Sequence, residues 1–257
     1  MNFFLNLLIV IIAFFVVAIT IIFIVKIRLK RAIGKDNFNN LVDAIKKTKD
    51  LEIEEYSRPK NVSGVTKLLE PSIIRDFPEF NKELLYRKTE KILNKVFDCY
   101  HSKNLSIINN DEECSLIIDQ VNNYVDDLKE RHIDVSYSSI LFHEHAIKDY
   151  EKKDGVATIT TSSTLEYYYT NSNKKSNFDS IKKQTRYTCK FVYVFDESKL
   201  KNNTFAVTIR CPNCGAPLAG LGDINCTYCG SNITPINLKA WKMAKFKEDY
   251  AYGDEAI

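Results

Sequence analysis

Four cysteines near the C-terminal end constrain this chain more than any other feature. Cys211-Pro-Asn-Cys214 and Cys226-Thr-Tyr-Cys229 are two Cys-x2-Cys pairs separated by eleven residues. Each pair fits a tight turn and can aim two sulfurs at one point. Four thiolates at about 2.3 Å from a common centre make a closed tetrahedral zinc site. Gly215 and Gly230 follow the second cysteine of each pair, where positive φ lets backbone amides approach the sulfurs. The expectation is a structural zinc ribbon over residues 210–232, its metal held by Cys211, Cys214, Cys226 and Cys229. A closed four-sulfur shell leaves zinc no open position for water, which points away from catalysis. A rubredoxin-type iron site uses the same ligand spacing, and two disulfides would use the same thiols. A reducing compartment favours metal over bridging.

The other end of the chain bears on the compartment. Leu7 to Val25 is a run of nineteen residues, apolar apart from Thr20. At 1.5 Å rise per residue such a helix just crosses a hydrocarbon core of about 30 Å. Lys26, Arg28, Lys30, Arg31 and Lys35 follow it, and no Lys or Arg precedes it. A cleavable leader would carry its charge first and end in a small-x-small site. Positive charge stays on the cytoplasmic side, so the expected topology is a single-pass anchor over residues 1–27 with its N-terminus outside. The rest of the chain would then lie at the inner face of a bacterial plasma membrane, where free thiols and zinc are at home.

About 230 residues remain, enough for one good-sized domain and a small module. Net charge is only +3, part of it in the juxtamembrane cluster, so the soluble part carries no general nucleic-acid footprint. Residues 28–62 read as a juxtamembrane basic segment and linker: weak helical spacing over 36–51, then few and scattered large apolar side chains over 52–64. Asp76-Phe77-Pro78-Glu79-Phe80-Asn81 reads as a turn into a helix capped near Asn81. Leu84, Leu85, Ile92, Leu93, Val96, Phe97 and Tyr100 recur at helical spacing, and Leu116 to Leu128 carry a second helix. From His132 the period changes to two. One strand ends at the Lys152-Lys153-Asp154-Gly155 hairpin signal. The next aligns Ala157, Ile159, Leu165, Tyr167 and Tyr169, and a third aligns Tyr187, Cys189, Phe191, Tyr193 and Phe195. A fourth strand over Phe205–Ile209 enters the first zinc knuckle. A fifth, spanning 236–248 with Trp241 within it, pairs beside the fourth. Helices first and an antiparallel sheet second gives an α+β fold.

The helices, Asp76-Phe77-Pro78-Glu79-Phe80 and the long-stranded meander together resemble the Tim-forty-four-like domain. The stretch from Ser63-Gly64-Val65-Thr66 through Phe80, with Cys-Pro-Asn-Cys-Gly-Ala-Pro-Leu at 211–218 and Cys-Thr-Tyr-Cys-Gly-Ser at 226–231, resembles a bacterial branch with both a membrane helix and a zinc ribbon. The resemblance covers about residues 60–250, with the domain itself over 63–250. It implies helices packed on a curved antiparallel sheet, the cone of the nuclear-transport-factor-two-like superfamily, interrupted by the ribbon. It implies a membrane-tethered binding or scaffolding domain, associated with membrane lipid or a protein-translocation partner, and not an enzyme.

Other residues are weaker candidates. His143 and His145 flank Glu144 at strand spacing, which directs both histidines to one face for metal or acid–base work; two ordinary strand residues are the plainer reading. The tyrosines and phenylalanines of strands two and three either line a ligand pocket or fill the sheet core. Cys99, Cys114 and Cys189 have no Cys-x2-Cys partner and read as buried inert thiols. Nucleic-acid binding by the ribbon is disfavoured, because no Lys or Arg lies between Cys211 and Cys229 and phosphate contacts demand cations. The alternatives to a scaffold are an enzyme using the cone pocket, with Glu144 or a histidine as base, and a sensor of cytoplasmic ligand or redox state.

Overall fold

The computed structural model describes residues 2–33, 35–109, 111–173, 179–196, 214, 216, 225–231 and 239–249; the side chains of 2–12, 29–39 and 42 are not among them. The chain divides into two units, Met1–Glu55 and Tyr56–Ile257.

The first unit holds α1 (Asn2–Ile33) and most of α2 (Lys35–Ser57). Phe14, Phe15, Ile19, Ile22 and Phe23 of α1 are all more than half exposed. The hydroxyl of Thr20, the one polar group of this stretch, donates to the Val17 carbonyl at 2.8 Å, so it adds no unsatisfied donor to an apolar helix. Among the described residues no helix is long and apolar enough to cross a membrane. The side chains of Leu7–Ile12, the first six of the expected span, lie outside the described residues; the thirteen residues 13–25 rise only about 20 Å. Helix α2 runs on to Ser57, past the expected helix end at 51, so the segment read as linker is shorter than its sparse apolar pattern suggested.

The second unit is α+β. Its helices are α3 (Thr66–Asp76), α4 (Lys82–Ser102), α5 (Ser106–Asn109) and α6 (Ile118–Glu130), with a 3-10 turn at Glu112–Cys114. Four antiparallel strands follow in the order β1 (Val135–Lys153), β2 (Val156–Asn171), β3 (Lys182–Val194) and β4 (Lys242–Glu248). Asn81 caps α4 as expected: its side-chain oxygen accepts the Leu84 amide at 3.1 Å, satisfying one orphan N–H of the first turn. The buried face of α4 carries Leu85, Ile92, Leu93, Val96, Phe97 and Tyr100; Leu84, grouped with them by spacing, is 58% exposed. Helix α3 has no counterpart in the periodicity reading, because Pro71 interrupts an already short pattern.

Ala157, Ile159, Leu165, Tyr167 and Tyr169 of β2 and Tyr187, Cys189 and Phe191 of β3 are buried in one core with the helices. Phe195 falls just past β3 and is 36% exposed. The strand expected over 205–209 lies outside the described residues. The last strand forms at Lys242–Glu248 and pairs with β3, Cys189 opposite Phe246. Trp241 stands one residue before β4, half-buried, and its indole meets Phe77 at 5.4 Å and Phe80 at 6.1 Å, edge-on to both.

The segment before α3 crosses the opposite face of the sheet as a strap. The Asn61 carbonyl accepts from the Arg186 guanidinium at 3.0 Å, the Ser63 amide donates to Ser162 Oγ at 3.0 Å, and the Val65 amide donates to the Ile147 carbonyl at 2.8 Å. Gly64 is required here: a Cβ on it would fall 2.5 Å from the Ile147 carbonyl oxygen.

Candidate metal centre

The second knuckle is built by its own backbone. The Gly230 amide donates to the Cys226 carbonyl at 2.9 Å, and the Cys226 amide donates to the Ser231 carbonyl at 2.9 Å. This closes a tight turn, and Gly230 makes it possible with φ +70°. The Tyr228 amide points at Cys226 Sγ at 3.4 Å, a contact that stabilises a thiolate. Gly215 and Cys211 lie outside the described residues.

Cys214, the second cysteine of the first pair, lies at the same place. The Sγ atoms of Cys214, Cys226 and Cys229 all lie within 4.8 Å of one another. Sulfurs on a tetrahedron with 2.3 Å zinc–sulfur bonds stand about 3.8 Å apart. Cys214 and Cys226 have Sγ atoms 3.7 Å apart, nearly twice a disulfide bond length of about 2.05 Å. The spacing suits a shared metal and excludes a bridge between those two cysteines. Cys226 is buried, whereas Cys214 and Cys229 are exposed. The residues fit structural zinc, whose binding releases the thiol protons and ties the two knuckles together.

The other cysteines are apart from this centre. Cys99, Cys114 and Cys189 are buried free thiols. Burial pushes the Cys99 thiol up to about 11 and that of Cys114 to about 12, and raises that of Cys189 further still. All three are protonated and inert at neutral pH.

The two histidines do not share a face. A β-bulge between Phe142 and Glu144 inserts an extra residue and reverses the alternation. His143 therefore meets Glu166, at 3.4 Å. His145 turns to the helix side, where Nε2 is 2.8 Å from Glu90 Oε1 and Nδ1 2.8 Å from Ser163 Oγ. Both ring nitrogens of His145 are thus engaged, one by the Glu90 carboxylate on α4 and the other by the Ser163 hydroxyl on β2. Ser163 is fully buried, and this Ser–His–Glu chain fastens α4 to the sheet.

One polar cluster carried no sequence signal. Glu248, at the end of β4, receives Lys183 Nζ at 3.0 Å, Thr185 Oγ1 at 2.6 Å and the hydroxyls of Tyr167 at 3.2 Å and Tyr187 at 3.4 Å. Lys183 is 1% exposed, its ammonium 5.8 Å from the Tyr167 ring centroid and 5.7 Å from that of Tyr169. On the other face of β3, Asp249 accepts from Arg186 at 2.7 Å and Thr188 at 3.0 Å. An acidic pair at a strand end reads as solvent-facing; only the register with β3 reveals a clamp.

The chain matches no curated protein. A zinc-ribbon domain model matches residues 207–233, which span both cysteine pairs. Together with the converging sulfurs of Cys214, Cys226 and Cys229, that match identifies the segment as a zinc ribbon holding structural zinc.

Proposed function

We propose that this protein is a membrane-tethered binding or scaffold module of the Tim-forty-four-like kind, with a cone fold over residues 63–250. Cys211 completes the zinc shell as its fourth ligand. The chain is held by a single-pass anchor centred on Leu7–Val25, with its domain at the cytoplasmic face of a bacterial inner membrane. The partner is a protein of the translocation apparatus or the membrane lipid itself, and not a nucleic acid.

The observation that carries this reading is the filling of the sheet's helix-facing side. Phe97 stacks on Tyr137 at 4.7 Å and meets Tyr167 at 5.6 Å and Tyr187 at 5.7 Å. Tyr100 meets Tyr124 at 4.4 Å, and Tyr137 meets Tyr169 at 5.2 Å. Aromatic rings occupy the ground where a substrate cavity would need space. Burial raises the phenols of Tyr137, Tyr167 and Tyr187 well above their usual range, so they serve as neutral packing groups and not as proton carriers. The exposed apolar side chains of α1 support the anchor, since a helix with such a surface is at rest only in lipid or against another apolar face.

Crosslinking in intact cells, followed by purification through a C-terminal tag, tests the reading. A reproducible membrane-protein or lipid adduct that is lost when residues 1–27 are removed is the expected result. Adducts unchanged by that removal would refute tethering as the basis of partner choice.

A further inference from the structure

Away from the metal centre, one group of side chains is arranged around a cation. Phe77 follows α3, Phe195 follows β3 and Trp241 precedes β4, so three chain segments converge at one place. The Phe77 ring is 4.8 Å from Tyr193, 6.4 Å from Phe195 and 5.4 Å from Trp241. Lys152, from the end of β1, brings its ammonium to this cluster. Its Nζ lies 5.2 Å from the Phe77 centroid and 5.1 Å from the Phe195 centroid. Asp76 Oδ1 stands 3.6 Å from the same nitrogen. The hydroxyl of Tyr150 donates to Asp76 Oδ2 at 2.7 Å. That bond, against the effect of burial and aided by Lys152 and Arg75, holds the carboxyl below its usual range, so it is charged at neutral pH.

Two ring faces and one carboxylate around a single nitrogen form a recognition set for an organic cation. The set supplies field more than hydrogen bonds. An ammonium carries three N–H donors, yet the Asp76 oxygen at 3.6 Å lies beyond hydrogen-bond reach. A cation without N–H groups loses nothing in the same position. Lys152 can also leave without unpacking the core: its side chain is 34% exposed, and Phe195 is 36% exposed.

We propose that Asp76, Phe77 and Phe195 form a binding site for a quaternary ammonium group of the choline type, and that Lys152 is its built-in competitor. The group arrives either as a free solute or as the headgroup of a choline lipid. Lys152 withdraws toward solvent as the ligand enters, so the site is weak until that side chain moves. The site does not rest on the scaffold reading, because free ligand would bind whether or not α1 is in a membrane.

Trp241 is the sole tryptophan of the chain, and its edge contact with Phe77 makes its fluorescence a reporter of the site. Full-length protein in a sugar-headgroup detergent is titrated with tetramethylammonium chloride, with sodium chloride as the ionic-strength control. A saturable Trp241 response is expected, with binding about fivefold tighter for Lys152→Ala, the loss of one exposed cation–π and ion-pair competitor. Phe195→Ala and Asp76→Asn in that background abolish it. Phe195 is exposed enough that its removal leaves the fold intact, so that variant decides if Asp76→Asn does not fold. Free choline against a short-chain choline phospholipid below its micellar concentration distinguishes the sources: the one acting at lower concentration is the ligand form. No saturable response in Lys152→Ala, or a response indifferent to Phe195→Ala, overturns the proposal.

Discussion

Replacing Glu248 by alanine removes the anion that Lys183 reaches at 3.0 Å from a position 1% exposed to solvent. Stripping one partner from a buried ion pair costs about 3–5 kcal/mol, because the remaining charge stays desolvated. Two terms adjust that figure here. The Tyr167 and Tyr169 rings still face the ammonium and soften the loss, while the hydroxyls of Thr185, Tyr167 and Tyr187 lose an acceptor and deepen it. The lower end, about 3 kcal/mol, is the expected cost, a fall of roughly 6–12 °C in Tm for a domain of this size. Chemical and thermal unfolding followed by circular dichroism measure it. The double variant Glu248→Leu with Lys183→Met replaces the pair by apolar groups of similar volume and recovers most of the loss. A Glu248→Ala variant within 1 kcal/mol of the parent, or a double variant no better than the single one, would refute the view that this pair fixes β4 against β3.

Trp241→Ala should destabilise the domain by about 3 kcal/mol, since it removes a half-buried ring packed on Phe77, Phe80 and Tyr193; denaturant unfolding measures this. Acid should destabilise the fold: burial raises the carboxyls of Asp111 and Glu113, but the ammonium groups of Lys95, Lys88 and Lys91 outweigh it and hold both below their usual range. Groups with depressed folded values contribute stability above their unfolded pKa of about 4 and lose it as pH falls through the folded value, so melts should drop below about pH 4 and stay level through pH 6. Chelating zinc should expose the ribbon thiols to a thiol reagent at pH 8 and speed amide exchange in β4 before α4, while Cys99, Cys114 and Cys189 stay silent until global unfolding; rapid labelling of Cys189 would contradict this.

What could be read from the residues followed their chemistry. The Asn81 cap, the core face of α4 and the alternation of β2 and β3 are local signals, and each is present in the fold. The zinc knuckle was legible because ligand spacing is itself the geometry. The features that escaped depend on pairing across the sheet. The bulge at His143 turns a same-face pair into an opposite-face one, and nothing in His-Glu-His encodes an inserted residue. The Glu248 clamp and the strap at Gly64 exist only because distant strands fix their neighbours. Helix α3 was hidden by Pro71, a helix breaker by propensity that tertiary packing overrides.

The tether is the claim on which the proposed function depends, and membrane extraction of the full chain tests it most directly. Cells expressing residues 1–257 with a C-terminal tag are broken and their membranes washed with alkaline carbonate. The account expects the tag to stay in the pellet, to move to the supernatant when residues 1–27 are deleted, and to react with an impermeant reagent only after the cells are permeabilised. Release of the full chain by carbonate, or labelling of the tag in intact cells, would contradict it.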